Sequence, residues 1–317
     1  MRVAIVGAGR MGETHAAAWS ALAPQAEVVA AVGRREPAVL AAAPAARATG
    51  LDDVLGDPSI GIVSICTPTE THVDLTERAL AAGKHVLLEK PIALTVVDGE
   101  RLVELGRRAR TMLMVAHVVR FFPGYAAVRA LAEEGRLGRL REVRAERLAP
   151  GDGRPAWLDD EERSGGVLLD LAVHDFDQLL LLLGPARRVE ARPGPDGTVD
   201  VTVQHTGGGI GRVRAGWDLP PSFPFTTLLD VTGERGGACY AAEAGSRSEL
   251  VVETPDGAWR TDVDPGAPYT AQARSFLECI RSGTPPVHGD PAAASAAVRV
   301  ALAARVALAS GAPVDLA

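Results

Sequence analysis

Short apolar runs alternate with stretches of helix formers through the first third of the chain. The runs are Val3–Val6, Glu27–Val32 (EVVAAV), Ile60–Ile65 (IGIVSI), His85–Leu88 (HVLL) and a segment near Met112–Val118. Nearly every position in them is apolar, which predicts strands buried on both faces. Between them, ETHAAAWSALA after Gly12, Thr71–Ala82 before Gly83, and Thr95–Arg108 predict helices, with Gly83 as a stop signal. Strands that alternate with helices imply βαβ units and a parallel sheet. Beyond residue 119 the pattern changes. Leu140–Leu148 alternates apolar and polar, and so do Val199, Val201 and Val203 with their neighbours. Further strand-like runs lie near Arg212–Trp217, Thr226–Thr232, Ala238–Ala242, Glu249–Glu253 and Trp259–Val263. Helices are predicted for PGYAAVRALAEEGRLG (123–138), Tyr269–Arg281 and an Ala-rich segment at Pro291–Ala309. The expected fold class is α/β: an N-terminal doubly wound parallel sheet plus a C-terminal α+β domain with an open, mostly antiparallel sheet.

The first run leads into Gly7, Gly9 and Gly12, spaced G-x-G-x-x-G, with Arg10 and Met11 inside the turn. A strand, a glycine turn and a helix start in that order suit a Rossmann dinucleotide site. Gly7 permits the tight turn, Gly9 lets a pyrophosphate approach the backbone, and Gly12 lets the helix sit close on the strand. The helix N-terminus offers free N–H groups to the phosphates. At the end of the second run, an NAD site normally places an acid for the ribose 2′-hydroxyl. Here the residues are Gly33, Arg34 and Arg35. Two guanidiniums without a carboxylate suit a 2′-phosphate, so NADP(H) is preferred, with NAD(H) possible through Glu36. Thr67, Pro68, Glu89 and Lys90 fall at strand ends, where such folds bind ligands.

Composition narrows the classes. The chain has 317 residues, which suits two domains, with 47% hydrophobic and only 4% aromatic residues, so Ala, Val and Leu must make the core. There are 33 Lys and Arg against 40 Asp and Glu, a net charge of −7, with no long basic run, which speaks against a nucleic-acid partner. Cys66, Cys239 and Cys279 are scattered and form no C-x-x-C, as reduced core thiols of a cytoplasmic protein would be. The chain enters a strand at once, which is not the pattern of a signal peptide. No apolar run is expected to reach the length of a membrane span; Leu179–Leu183 is far too short. The seven histidines show no H-E-x-x-H spacing, and no metal is expected.

The chemically richest stretch is SGGVLLDLAVHDFDQLLLLLG, residues 164–184. Read as one helix, it is capped by Ser164 and ends at Gly184. At about 100° per residue, His174 lies roughly 40° round from Asp170 and Asp177 roughly 20° the other way, so three titratable groups share a stripe. Asp175 projects elsewhere and is expected in solvent. The remaining circumference is Leu, Val and Phe, so a carboxylate–imidazole pair here needs a reason.

Together, G-x-G-x-x-G at the N-terminus, CTPTETH, ALAAGKHVLLEKP with Glu89-Lys90-Pro91, and Gly165-Gly166-x-x-x-Asp170-x-x-x-His174 resemble the glucose–fructose oxidoreductase / inositol dehydrogenase / MocA family. The resemblance implies a Rossmann domain over residues 1–119 and a substrate-binding and oligomerisation domain over 120–317. It implies a cis Lys90–Pro91 peptide and places the family's catalytic lysine, aspartate and histidine on Lys90, Asp170 and His174. The activity so implied is hydride transfer between a nicotinamide cofactor and a secondary alcohol or ketone of a sugar, inositol or related polyol. Histidine suits the proton transfer, because its pKa lies near neutrality. Arg120 and Trp157 resemble positions lining the substrate cleft, each with an equally good structural reading. His72 is a candidate on the cofactor side, although lone histidines such as His72 and His117 more often serve structure. The resemblance also implies a homo-dimer or homo-tetramer covering the second sheet. Rival readings are a nicotinamide-dependent glycoside hydrolase, a non-enzymatic NAD(P)-sensing regulator, and a dihydrodiol or biliverdin-type reductase. The last two branches depart from the lysine, aspartate and histidine found here.

Overall fold

The structure, a computed structural model, describes residues 1–33 and 36–316, with the side chains of 36–38 and 247 outside that description. By contacts between backbone positions the chain forms two compact units: Met1–Val118 with Ala267–Ser295, and Val119–Gly266 with Ala296–Ala317.

In the first unit, β1 (Arg2–Val6), β2 (Glu27–Val32), β3 (Arg47–Ala48), β4 (Ile60–Ile65), β5 (His85–Glu89) and β6 (Leu113–Ala116) form one parallel sheet. Its order is β3-β2-β1-β4-β5-β6, so the order reverses between β1 and β4. The apolar runs are the reason: Val3, Ala4, Ile5, Ile62, Val63, Ile65, Val86 and Leu88 are fully buried. Helices α1 (Arg10–Ser20), α2 (Glu36–Ala42), α3 (Leu51–Gly56), α4 (His72–Ala81) and α5 (Val96–Arg108) connect the strands. Thr95 starts α5 by accepting the Asp98 N–H at 3.1 Å, a side-chain cap. The two-residue β3 and the short α2 and α3 carry too little periodic pattern to be read from sequence.

Residues 267–295 belong with this unit, not with the second domain to which the sequence reading assigned them. The cause is α9 (Pro268–Ser282), whose apolar face buries Ala273, Phe276 and Leu277. Tyr269 lies against His15 of α1, and the Val115 N–H of β6 donates to Gly289 O at 2.9 Å.

The second unit holds α6 (Pro123–Glu133), β7 (Leu140–Pro150), α7 (Glu161–Ser164), α8 (Val173–Leu183), β8 (Ala186–Pro193), β9 (Val199–His205), β10 (Ile210–Leu219), β11 (Thr226–Gly233), β12 (Gly237–Glu243), β13 (Arg247–Thr254), β14 (Gly257–Asp262) and β15 (Val314–Asp315). The nine strands run in the order β14-β13-β12-β11-β7-β10-β9-β8-β15, antiparallel except where β7 meets β10. Val143, Ala145, Val201, Val213, Leu229, Val231, Tyr240 and Val252 point to the buried face. Residues between them, such as Glu142, Arg144, Asp200, Arg212 and Arg214, point to the other. Only Val189 of β8 is buried, so ARRVEARP gave no strand signal.

Helix α10 (Pro291–Ser310) starts in the first unit and ends in the second. By length and composition it is apolar enough to cross a membrane, which corrects the expectation that no run reaches that length. Half of it is buried, as in a core helix, and Arg299 and Arg305 interrupt it. None of the three cysteines is in a disulfide, and all are only partly buried, so they are not the core thiols expected.

Candidate active site

Parallel register sets the first half of the site. Val6 of β1 pairs with Ile65 of β4, and Ile65 with Leu88 of β5. Gly7, Cys66 and Glu89 therefore follow at the same end of three neighbouring strands, with Thr67 and Lys90 one residue on. Gly7 has φ +102°, which favours glycine, and a Cβ there would lie 2.5 Å from the Cys66 carbonyl carbon. At Gly12 a Cβ would lie 1.9 Å from Gly7 O, so only glycine lets α1 pack this close to β1. A Cβ on Gly9 would meet nothing within 4 Å. Gly9 also leaves the first turn of α1 without a side-chain cap. Open space in front of uncapped helix N–H groups fits a pyrophosphate. Arg10 is exposed and Met11 half-buried at this turn. Arg34 and Arg35 lie outside the described residues, so the 2′-phosphate reading rests on sequence there.

The Lys90–Pro91 peptide is cis. Lys90 is half-buried, and its backbone N–H donates to Glu89 Oε2 at 3.1 Å. Glu89 is buried, and its Oε1 lies 2.8 Å from His15 Nε2. On the far side of the ring, His15 Nδ1 lies 2.8 Å from Ser64 Oγ, which also accepts from Trp19 Nε1 at 3.4 Å. Burial opposes a charge on His15, but Cys66 and Glu89 beside it outweigh burial and push its pKa up to about 10. Burial would likewise raise Glu89, but the bond and charge of His15 win and hold it below the usual carboxylate range. The pair is therefore ionic at neutral pH. His72 is fully buried and spans two loops: Nδ1 lies 2.8 Å from Pro91 O, and Nε2 lies 3.0 Å from Thr67 O. Burial pushes its pKa down, while the two carbonyl bonds work the other way. A neutral ring has one N–H to give, so it donates to one of these two carbonyls and only packs against the other.

In the second unit the stretch read as one helix is broken. Residues Glu161–Ser164 form α7, and Gly165 and Gly166 follow with φ of +80° and +70°. A Cβ on Gly165 would lie 2.3 Å from Leu169. Ser164 accepts from the Gly166 N–H at 3.0 Å instead of capping a long helix. Val167–Leu171 is a single π turn, closed by Ala172 N–H to Val167 O at 2.9 Å, and α8 follows to Gly184. Such π turns are frequent at functional sites. Asp170 and His174 are four residues apart and both half-buried. The other acids of the stretch behave differently from expectation. Asp175 is not in solvent: it is fully buried, accepting from Arg147 Nε at 2.9 Å and Nη2 at 2.8 Å. Arg147 also reaches the Tyr125 hydroxyl at 3.1 Å. Burial pushes the Asp175 pKa up, while the charge and bonds of Arg147 work the other way. Asp177 does not share the half-exposed stripe: it is buried and accepts from Arg120 Nε at 2.7 Å and Nη2 at 2.5 Å. Arg120 thus makes an ion pair within its own unit. Trp157 is half-buried on the single turn Ala156–Asp159.

The residues missed from sequence are His15 and Ser64, which sit behind Glu89. One overlooked signal is compositional. Of the 33 Lys and Arg residues only two are lysines, Lys84 and Lys90. Lys84 is buried, with Nζ donating to Asp57 O and Ile60 O at 2.6 and 3.0 Å, a task for a compact ammonium. Among the described residues, no group of three or more His, Cys, Asp or Glu could hold a metal ion.

Residues 1–117 match the model of the oxidoreductase family GFO_IDH_MocA with an NAD-binding Rossmann fold, and residues 125–239 match the GFO/IDH/MocA C-terminal domain. The chain is 29% identical to inositol 2-dehydrogenase of Rhizobium meliloti, over 89% of each chain. It is 30% identical to dTDP-3,4-didehydro-2,6-dideoxy-alpha-D-glucose 3-reductase of Streptomyces violaceoruber, over 89% of this chain and 85% of that one. The solved structure of GenD2 from gentamicin A biosynthesis, in complex with NAD, superposes with a TM-score of 0.85 at 25% identity, covering 100% of this chain and 96% of that one. The parallel sheet with its glycine turn and the mixed C-terminal sheet are thus those of a known lineage, and this chain belongs to the GFO/IDH/MocA family of oxidoreductases, with an NAD-binding Rossmann domain.

Proposed function

We propose that the protein transfers a hydride between a nicotinamide cofactor and a secondary alcohol or ketone of a sugar, inositol or related polyol. The observation that carries this reading is the row at one end of the parallel sheet, where the open turn at Gly9, Thr67 and Lys90 follow neighbouring strands. A bound nicotinamide supplies the hydride acceptor or donor, working directly at carbon. Gly7, Gly9, Arg10, Met11 and Gly12 hold its pyrophosphate, and Thr67, Pro68 and Glu89 line the loops beside it. The Lys90 ammonium hydrogen-bonds the reacting oxygen and stabilises developing alkoxide charge. His174 takes the hydroxyl proton on oxidation and returns it on reduction. Asp170 orients His174 or binds a substrate hydroxyl. Trp157 and Arg120 belong to the substrate side, Arg120 through the helix its ion pair secures.

NADP(H) is the preferred cofactor on this reading, supported by Gly33-Arg34-Arg35 at the end of β2 in place of an acid. The ratio of kcat/KM for the two cofactors tests it; equal or better use of NAD(H) refutes it. We carry a homo-dimer or homo-tetramer as part of the proposal. The outward sheet face carries matched charges, with Arg214–Asp200 at 2.8 Å and Arg212–Glu142 at 3.2 Å, and a second copy related by a two-fold axis would cover it with the same face. A monomer by light scattering removes that part. The main experiment is a panel of sugars and inositols with NAD+ and NADP+, followed by absorbance of the reduced cofactor. Reduction with at least one polyol is expected. Silence across the panel in both directions would overturn the reading.

A further inference from the structure

We propose that His15 and Glu89 are positioning residues for Lys90: a buried ion pair that fixes the backbone from which the ammonium projects. This rests on the role given to Lys90 above. Glu89 divides its carboxylate. One oxygen accepts the Lys90 backbone N–H at 3.1 Å, and the other faces His15 Nε2 at 2.8 Å. His15 is in turn held by Ser64, itself bonded by Trp19, so the chain of contacts ends on β4 and α1 rather than in a loop. The peptide is pinned from the other side as well, because Pro91 O faces His72 Nδ1 at 2.8 Å. Every member of this set is at least nine-tenths buried: His15 at 2% exposure, Ser64 at 0%, Glu89 at 5% and His72 at 0%.

The contacts end on the Lys90 N–H and the Pro91 carbonyl, backbone atoms on either side of the side chain asked to do chemistry. A catalytic group must sit within a fraction of an ångström of its working place, and a misplacement of about 1 Å costs on the order of 10²-fold in rate. A loop at a strand end does not hold a lysine that well unaided. The titratable groups facing the pair are Cys66 of the β4 loop, Lys90, His72 of α4 and Tyr269 of α9. Their net effect keeps His15 protonated and Glu89 ionised, the two forms this arrangement needs.

The chain has only two lysines, which makes the test direct. Trace acetylation with acetic anhydride at one fixed pH, read by mass spectrometry of the two lysyl peptides, compares the reactivity of the half-buried Lys90 amine with that of Lys84, whose burial reports that the fold is intact. In Glu89→Gln and His15→Leu the labelling of Lys90 is expected to change while Lys84 stays protected. With the polyol found in the panel, kcat is expected to fall about ten- to a hundredfold with cofactor affinity changed little. His15→Gln, which returns an N–H near the Nε2 position, should recover most of both. Unchanged Lys90 labelling, or an unchanged kcat, in Glu89→Gln and His15→Leu overturns the proposal. Should the first two variants fail to fold, Ser64→Ala, which removes the partner of His15 Nδ1, carries the same comparison against wild type. A wild-type enzyme silent on every polyol would sink the redox reading, while the labelling comparison would still decide whether the pair governs Lys90.

Discussion

The buried polar groups of the two units do different work. In the first unit His15, Glu89 and His72 end on backbone atoms, and the segment they hold is a loop carrying Lys90. In the second, Arg147–Asp175 and Arg120–Asp177 join side chain to side chain, and the segment they hold is a whole helix, α8. Both leave a candidate reacting group half-exposed, Lys90 in one and His174 with Asp170 in the other, above supports that are fully buried. A loop needs its backbone fixed because nothing else defines it. A helix already has a fixed backbone, so it needs only to be docked, and a bidentate fork does that with two bonds. The contrast predicts different mutational behaviour: loss of a support in the second unit is felt as stability, and in the first as turnover as well.

The largest expected effect therefore lies far from the chemistry. Asp175→Ala strands the Arg147 guanidinium in a buried site, at a cost of about 3–5 kcal/mol of stability. Denaturant unfolding measures it. Replacing both partners with apolar residues, Arg147→Met with Asp175→Leu, is expected to recover most of that loss, since no charge is left unpaired. If the double variant is as unstable as the single one, the pair does more than dock α8.

Next comes Lys90→Ala. Removing a donor aimed at developing negative charge is expected to lower kcat about 10²–10³-fold, with unfolding midpoint and cofactor binding unchanged. Near-normal turnover would take Lys90 out of the reaction and erase the contrast between the units. A smaller effect separates the glycines of one turn. Gly9 has φ −87° and open space ahead, so Gly9→Ala should fold normally yet bind dinucleotide about tenfold more weakly or worse. Gly12→Ala instead forces Gly7 O aside and should lower the unfolding midpoint. Calorimetric binding and a melt on the same two variants decide it.

How far the sequence spoke follows the same division. The parallel sheet was legible because its strands are buried on both faces and read as unbroken runs, and the glycine turn because each glycine answers a separate steric demand. The alternating strands β9 and β11 were legible for the complementary reason, while β8 was not, its charges outnumbering a single buried valine. The stretch 164–184 misled because a helical ruler was laid across two left-handed glycines and a π turn. Asp175 and Asp177 looked like solvent groups since their partners, Arg147 on β7 and Arg120 before α6, lie 28 and 57 positions away. His15 escaped notice for the same reason: Glu89 is 74 positions on, and local pattern carries no information at that range.

The finest way to separate the two kinds of support is pH. His15 has its folded pKa pushed up from 6.5 to about 10, so its share of stability is full below about pH 6.5 and is lost as pH rises through about 10. Glu89 is shifted the other way. Its share is present above 4.5, its ordinary value, and is lost as pH falls through its lower folded value. The His15–Glu89 pair is therefore worth most between about pH 4.5 and 6.5, and it weakens on the alkaline side well before any arginine responds. Arg147 stays charged throughout, held by Asp175 against the cost of burial. Urea midpoints taken from pH 6 upward are then expected to fall for wild type and to fall less for His15→Gln, while a variant of the Arg147–Asp175 pair keeps the wild-type slope. Equal slopes in all three would mean that His15 is neutral in the fold, and the loop would then be held by hydrogen bonds alone rather than by charge.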